Sequence, residues 1–181
     1  YLGLGGVCYA LGEYDAAEAA YRSVLAARPG DVAARTNLGL VNYQRGRVDD
    51  AIRGYEQVLA ERPDHADAHL NLALALLARG DFSRGWPEFE WRFDGETRAE
   101  RARSYPFPAW DGGGLDGKTI LVWKELSVGS QLLFAGMFAE VAARSGFCVI
   151  ECTPKLVPLF ERSFPDCDVV PRTDPPHPFT Q

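Results

Sequence analysis

Lysine is missing from the first 117 of the 181 residues; the three lysines are Lys118, Lys124 and Lys155, and arginine alone carries side-chain positive charge before them. With a formal net charge of -6, the chain also lacks the clustered Lys/Arg that displaces counterions from phosphates, which excludes a general nucleic-acid binder. No apolar run approaches the roughly 18 residues of a membrane span. No basic segment precedes an apolar core in the manner of a secretory signal. The four cysteines, Cys8, Cys148, Cys152 and Cys167, form no C-x-x-C pair. Small buried thiols are therefore expected rather than a metal site or a disulfide, and a cytoplasmic, reducing location fits them. An initiating methionine is absent too: the chain opens at Tyr1 inside a helical pattern, as expected of a fragment of a longer protein.

What is present is an internal repeat. LGEYDAAEAAYRSVLAARP, RGRVDDAIRGYEQVLAERP and RGDFSRGWPEFEWRF align with Gly12, Gly46 and Gly80, each 34 residues from the next. The same offset relates Leu4, Leu38 and Leu72; Gly5, Gly39 and Ala73; Ala17, Ala51 and Gly85; Tyr21, Tyr55 and Phe89; and Pro29 and Pro63. Small residues let two antiparallel helices approach while the aromatic fills the gap to the next helix. Proline then ends each second helix, because it supplies no N–H and clashes with the preceding turn.

These residues resemble the tetratricopeptide repeat over 1 to about 94, with a degenerate third repeat. The resemblance implies stacked helix pairs whose first helices line a groove for an extended peptide or partner helix. Asn37 and Asn71 sit one period apart, where a sugar-transferring branch of that family carries an asparagine ladder that grips peptide backbone. An amide offers both donor and acceptor, so it pairs with a backbone whatever the side chains. The alternative is that both asparagines merely serve the fold; the first repeat has Gly3 there. Thr36, Leu40, Tyr43, Gln44, Leu70 and Leu74 flank the pair. Without lysine, and with Arg35 alone, a clamp for a C-terminal carboxylate is disfavoured.

In the third repeat SRGWPEFEWRF places Trp86, Phe89 and Phe93 on one helical face and Trp91 on another. Aromatics on both faces suggest a helix covered by the next segment of the chain, or else a ligand-stacking platform. Residues 95–117 look like a charged helical extension and a Pro/Gly-rich connector anchored by Phe107 and Trp110. TILVW then predicts a strand buried on both faces. A helix from about Gln131 to Arg144 stopped by Gly146, a second strand FCVIEC, a short helix from Pro154 to Phe160 and a third strand at Asp168–Val170 complete a parallel βαβ pattern. Residues 118–181 are thus expected to begin a larger domain with an open sheet edge.

GDFSRGWPEFEWRF, FPAWDGGGLDGKTILVWKE and LLFAGMFAEVAARSGFCVIECTPKLVPLFERSFP, in that order, resemble bacterial proteins in which such repeats precede a GT-B glycosyltransferase-like domain, similar to heptosyltransferases and O-linked N-acetylglucosamine transferases. The resemblance implies that the α/β segment is the first part of an N-terminal Rossmann-like half. The family loop after the first strand runs close to E-Q-G-x-G-D. Glu125 and Gly129 match it, but Leu126, Ser127 and Ser130 stand where it has Gln, Gly and Asp. The family Asp implies a general base near an acceptor hydroxyl; Ser130 is instead a good N-cap for a helix starting at Gln131. Lys124 reads as a solvated side chain or as charge beside a ligand phosphate. The resemblance also places the nucleotide-sugar donor mainly in a C-terminal half, so this piece is not expected to transfer sugar alone.

His65 and His69, four apart near Asp64 and Asp67, suggest either a turn and a packing residue or a weak metal site; His177 stands alone. The architecture expected is therefore an α-helical tetratricopeptide solenoid over 1–94, a connector over 95–117 and a partial α/β Rossmann-like segment over 118–181. It is expected to bind a peptide or protein partner and to need no metal or cofactor, the alternatives being a nucleotide-sugar-dependent glycosyltransferase in the intact parent or a purely structural scaffold. A nucleotide sugar enters only in an intact parent.

Overall fold

The computed structural model describes residues 1–93, 105, 107–123 and 127–173. The chain divides into two compact units, Tyr1–Arg103 and Ser104–Gln181. In the first, helices pair as α1 (Leu2–Ala10) with α2 (Tyr14–Ala27), α3 (Val32–Gln44) with α4 (Val48–Glu61), and α5 (Ala66–Arg79) with α6 (Phe82–Phe89). Ala17, Ala20, Tyr21 and Val24 of α2 recur at helical spacing and are buried, as are Ala51, Ile52, Tyr55 and Val58 of α4. The 34-residue period has a backbone cause: Gly12, Gly46 and Gly80 each adopt positive φ, at 77°, 75° and 85°, just after the first helix of a pair. That left-handed geometry suits glycine because it lacks a Cβ. Asp31, His65 and Asp81 cap α3, α5 and α6, each accepting a backbone N–H three residues on, from Ala34, Ala68 and Arg84.

The close approach expected of Gly5 and Gly39 is literal. A Cβ on Gly39 would lie 2.5 Å from the Tyr55 ring, and one on Gly5 the same distance from Tyr21. Gly39→Ala is expected to cost about 1–3 kcal/mol through overpacking. Thermal melts followed by circular dichroism check this, and an unchanged midpoint would mean that the ring yields freely.

The third pair departs from the expected aromatic faces. The α-helical hydrogen bonding of α6 stops at Phe89, two residues past Pro87, and Glu90–Phe93 tightens into a 3-10 turn. Trp91 thereby lies flat on His69 of α5, ring centroids 3.9 Å apart and planes 5° apart. Arg92 lies over the rings of Phe89 and Phe93. Trp91, expected on a face covered by the next segment, is packed within its own repeat. The charged extension expected from 95 lies outside the described residues as far as 104.

The second unit holds a three-stranded parallel sheet, ordered β1 (Thr119–Val122), β2 (Phe147–Cys152), β3 (Asp168–Pro171). Between β1 and β2 run α7 (Val128–Phe134), a 3-10 turn (Ala135–Met137) and α8 (Phe138–Arg144); α9 (Val157–Ser163) precedes β3. Cys148, Ile150 and Cys152 alternate onto one face of β2 and pack with Leu156, Phe160 and Val169, against which the Phe138 and Phe164 rings close. All four thiols are free; burial pushes the Cys148 thiol up to about 12, helped by Cys167, and Cys152 up to about 11. Both are unreactive packing groups at neutral pH.

Three expectations for this segment are corrected. The strand buried on both faces is β2, since Val149 and Glu151 are buried as well; β1 ends at Val122 and is only half-buried, because it lies at an edge. The helix expected from Gln131 begins at Val128 and breaks into α7 and α8 around Gly136. Gly146 does not cap it, because Ser145 already leaves the helix in an extended conformation. Instead, glycine is needed there because a Cβ would come within 2.7 Å of the Gly117 backbone. Residues 105 and 107–117 belong to this unit: Phe107 stacks near Tyr105, and the Trp110 indole N–H donates to the Gly113 carbonyl at 2.9 Å.

Candidate peptide-binding groove

The first helices α1, α3 and α5 lie side by side, α3 touching both others. At 100° per residue Asn37, Leu40 and Gln44 share one face of α3, and Leu70, Asn71 and Leu74 share one face of α5. Asn37 and Asn71 are half-buried, and neither amide makes a hydrogen bond among the described residues. Leu40 and Leu70 are half-buried and Leu74 is exposed. The Gln44 amide donates to the Tyr9 hydroxyl at 3.2 Å, which ties α3 to α1.

Two flanking residues sit differently. Thr36 is buried, and its hydroxyl has no hydrogen-bond partner, so it faces packed neighbours rather than open space. Tyr43 is half-buried and packs against the cluster of Ile52, Tyr55 and Leu72. Tyr9 is not among the residues expected from the sequence. The same offset of 34 that relates the asparagines also relates Tyr9 to Tyr43, and is the signal that points to it.

A cavity of about 260 Å³ opens on the opposite side of α3, lined by Leu25, Arg35, Leu38, Asn42, Arg53 and Gln57 among others. Its charges are already matched: Arg35 donates to Glu61 and to the Pro29 carbonyl, both at 2.5 Å, and Arg53 to Asp50. Arg35 therefore faces away from Asn37 and supplies no carboxylate clamp.

The histidines have structural partners. His65 caps α5 through Nδ1, while His69 bonds Glu88 through Nδ1 at 2.5 Å and the Pro63 carbonyl through Nε2 at 2.8 Å. No cluster of three ligating side chains occurs among the described residues. His177 lies outside them.

In the α/β segment Glu125 and Lys124 lie outside the described residues. The N-cap of α7 is Ser127, whose hydroxyl accepts the Ser130 N–H, not Ser130 itself. Ser130 stands in the first turn, its hydroxyl 3.3 Å from that of Ser127. Gly129 is exposed with ordinary backbone, and a Cβ there would come no nearer than 3.8 Å to Ser127, so the fold does not require glycine. Gln131, buried, locks the turn to the end of β2: its carboxamide donates to the Thr153 hydroxyl at 2.9 Å and accepts the Thr153 N–H at 2.9 Å.

Against known proteins, residues 2–58 and 42–85 match tetratricopeptide repeat families. Residues 2–85 are tetratricopeptide repeats. The FlbA protein of Caulobacter vibrioides is 32% identical over 97 residues, 52% of this chain and 16% of FlbA. A crystal structure of MamA aligns at 26% identity and a TM-score of 0.47 over 54% of this chain and 56% of that one. A second MamA structure aligns at 25% identity and 0.46 over 58% and 57%. The chain spans less than two thirds of each of these relatives. Within the tetratricopeptide repeats, no described helix is long and apolar enough to cross a membrane, nor is any in the second unit.

Proposed function

We propose that the tetratricopeptide repeats bind an extended peptide segment of a partner protein across α1, α3 and α5, through its backbone. The observation that carries this is the pair of unpartnered, half-buried amides, Asn37 and Asn71, one repeat apart on the first-helix face. Their amide atoms are open to water, so each can exchange water for the N–H and C=O of a bound backbone. Leu40, Leu70 and Leu74 supply apolar surface beside them, and Tyr9 and Gln44 close one end.

The test uses peptides selected from a random displayed library against the whole chain. Changing both Asn37 and Asn71 to Ala is expected to weaken the selected peptides about 10-fold or more, at one to two lost hydrogen bonds each, with the melting temperature unchanged. Equal binding by the double variant, or a matching loss of fold, overturns the reading.

A second reading concerns the α/β segment and an intact parent. The order β3-β2-β1 is that of one half of a doubly wound sheet, in which ligands bind beyond the carboxyl ends of the strands. That supports an N-terminal GT-B-like half, with Gly129 and Ser130 at an acceptor edge and a nucleotide sugar held elsewhere in the parent. Serine in place of the family carboxylate supplies no general base, so catalysis by this loop is not expected.

A further inference from the structure

The cavity beside α3 lies where the second repeat departs from the third. One period on, Arg35, Gly54 and Gln57, which line it, correspond to His69, Glu88 and Trp91. Those three are joined to one another: Glu88 holds one ring nitrogen of His69, and the Trp91 indole lies flat on the face of the same ring. In the second repeat Gly54 offers no side chain, and a Cβ placed there would meet nothing within 4 Å. Glycine inside a helix lowers stability relative to alanine, and no neighbour demands it at this position. Its effect is to keep open, between α3 and α4, a space of about 260 Å³ of the kind that the third repeat closes with its own aromatic ring.

We propose that this cavity binds a neutral planar heterocycle with a donor and an acceptor side by side on its edge, a purine base being the type, in the role that Trp91 plays in the third repeat. Arg35 and Arg53 are already paired with Glu61 and Asp50, so an ion entering the cavity would find no free counter-charge. The bonds from Arg35 to Glu61 and to the Pro29 carbonyl use the edge of its guanidinium. They fix its plane and leave its faces for an aromatic ring to stack on. Leu25 and Leu38 supply apolar wall. Asn42, two turns along α3 from Arg35, and Gln57 of α4 also line the cavity, and neither amide makes a hydrogen bond among the described residues. An amide can pair with a neighbouring donor and acceptor at once, as it does on the edge of adenine. The volume falls just below the roughly 300 Å³ at which clefts for larger ligands begin, which suits one small ring system rather than a whole nucleotide. The cavity lies across α3 from Asn37, so this site stands independently of peptide binding.

Titration of the whole chain with adenine, followed by amide NMR shifts, tests it. The shifts are expected to saturate with a dissociation constant of about 1 mM or tighter, and to be largest at Asn42, Gly54 and Gln57. Indole, which has the ring but no acceptor on its edge, is expected to bind about 10-fold more weakly through the lost hydrogen bond. Benzoate, a charged ring, is expected to bind at no measurable level. Gln57→Trp supplies the filler of the third repeat, and is expected to abolish the response to adenine while raising the melting temperature. Asn42→Leu copies Leu76, its equivalent one period on, and is expected to weaken adenine about 10-fold with the fold kept. Shifts that show no saturation up to about 5 mM adenine, or saturating shifts clustered elsewhere, overturn the proposal. Adenine binding that survives both Gln57→Trp and Asn42→Leu overturns it equally. So does benzoate binding as tightly as adenine, which would make this a site for aromatic anions held by Arg35 and Arg53. If Gln57→Trp loses helical circular dichroism, Gly54→Glu, also copied from the third repeat, reads the same outcomes.

Discussion

Tyr55→Ala is expected to destabilise the repeat unit by about 3–5 kcal/mol, lowering its melting temperature by more than about 12 °C for a domain of this size. The ring is 1% exposed and fills the space that Gly39 leaves open between α3 and α4. Removing it leaves a cavity whose cost adds to the lost transfer energy. Tyr55→Phe separates the ring from its hydroxyl. That hydroxyl is buried without a hydrogen-bond partner, so its removal is expected to leave stability unchanged or slightly raised. The same burial pushes the phenol above its ordinary value, with smaller contributions from Tyr9 and Tyr43. A group whose folded value is raised stabilises below its unfolded value, near 10, and loses that contribution as pH rises beyond it. Tyr55→Phe should therefore move the alkaline unfolding edge upward. Denaturant titrations at neutral and alkaline pH measure both effects, and a Tyr55→Phe variant as unstable as Tyr55→Ala would refute the packing account.

Glu18→Ala is expected to cost about 2 kcal/mol and to loosen the first repeat from the second. The carboxylate is nearly buried and is shared by three guanidinium groups: Arg22 at 2.6 Å, Arg45 at 2.8 Å and Arg47 at 2.6 Å. Arg45 and Arg47 come from the turn between α3 and α4, so this cluster is the polar seam of that junction. The arginines keep access to water, which holds the cost below that of breaking a fully dry pair. Burial pushes the Glu18 carboxyl up, but the hydrogen bond from Arg47 and the charges of Arg22, Arg47 and Arg45 together outweigh it and hold the group below its ordinary value. A lowered folded value means stability present above the unfolded value, about 4.5, and lost as pH falls through the folded one. Urea midpoints measured from about pH 6 down to pH 3 should fall further for the unaltered chain than for Glu18→Gln. Parallel falls would show that the seam contributes nothing specific.

The repeat architecture was legible because one local solution recurs: a positive-φ glycine, a small residue under an aromatic, and a proline after the second helix leave the same marks every 34 residues. The strand β2 was equally legible, since FCVIEC is apolar at every position but Glu151 and its span matches the observed one. The groove was legible in part. Asn37 and Asn71 share the open first-helix face, whereas Thr36, one residue from Asn37, points inward; a 100° step is enough to pass from solvent to core.

The site in the α/β segment shows where local reading ends. Ser127 and Ser130 are equally good caps in isolation; the choice falls on Ser127 because Gln131 must reach Thr153 at the end of β2, and that bond starts the helix one turn earlier. Trp91 was expected on a second helical face covered by the following segment, but the chain tightens into a 3-10 turn after Phe89 and lays it on His69. Leu4 and Leu72, or Trp86 and Ile52, are equivalent in sequence and opposite in exposure. Sequence alone determined the period, the helix pairs and the side chains offered to each interface, because backbone conformation and helical phase are local. Tertiary structure decided which of those side chains are covered, because burial depends on whether a neighbouring element is there to cover them.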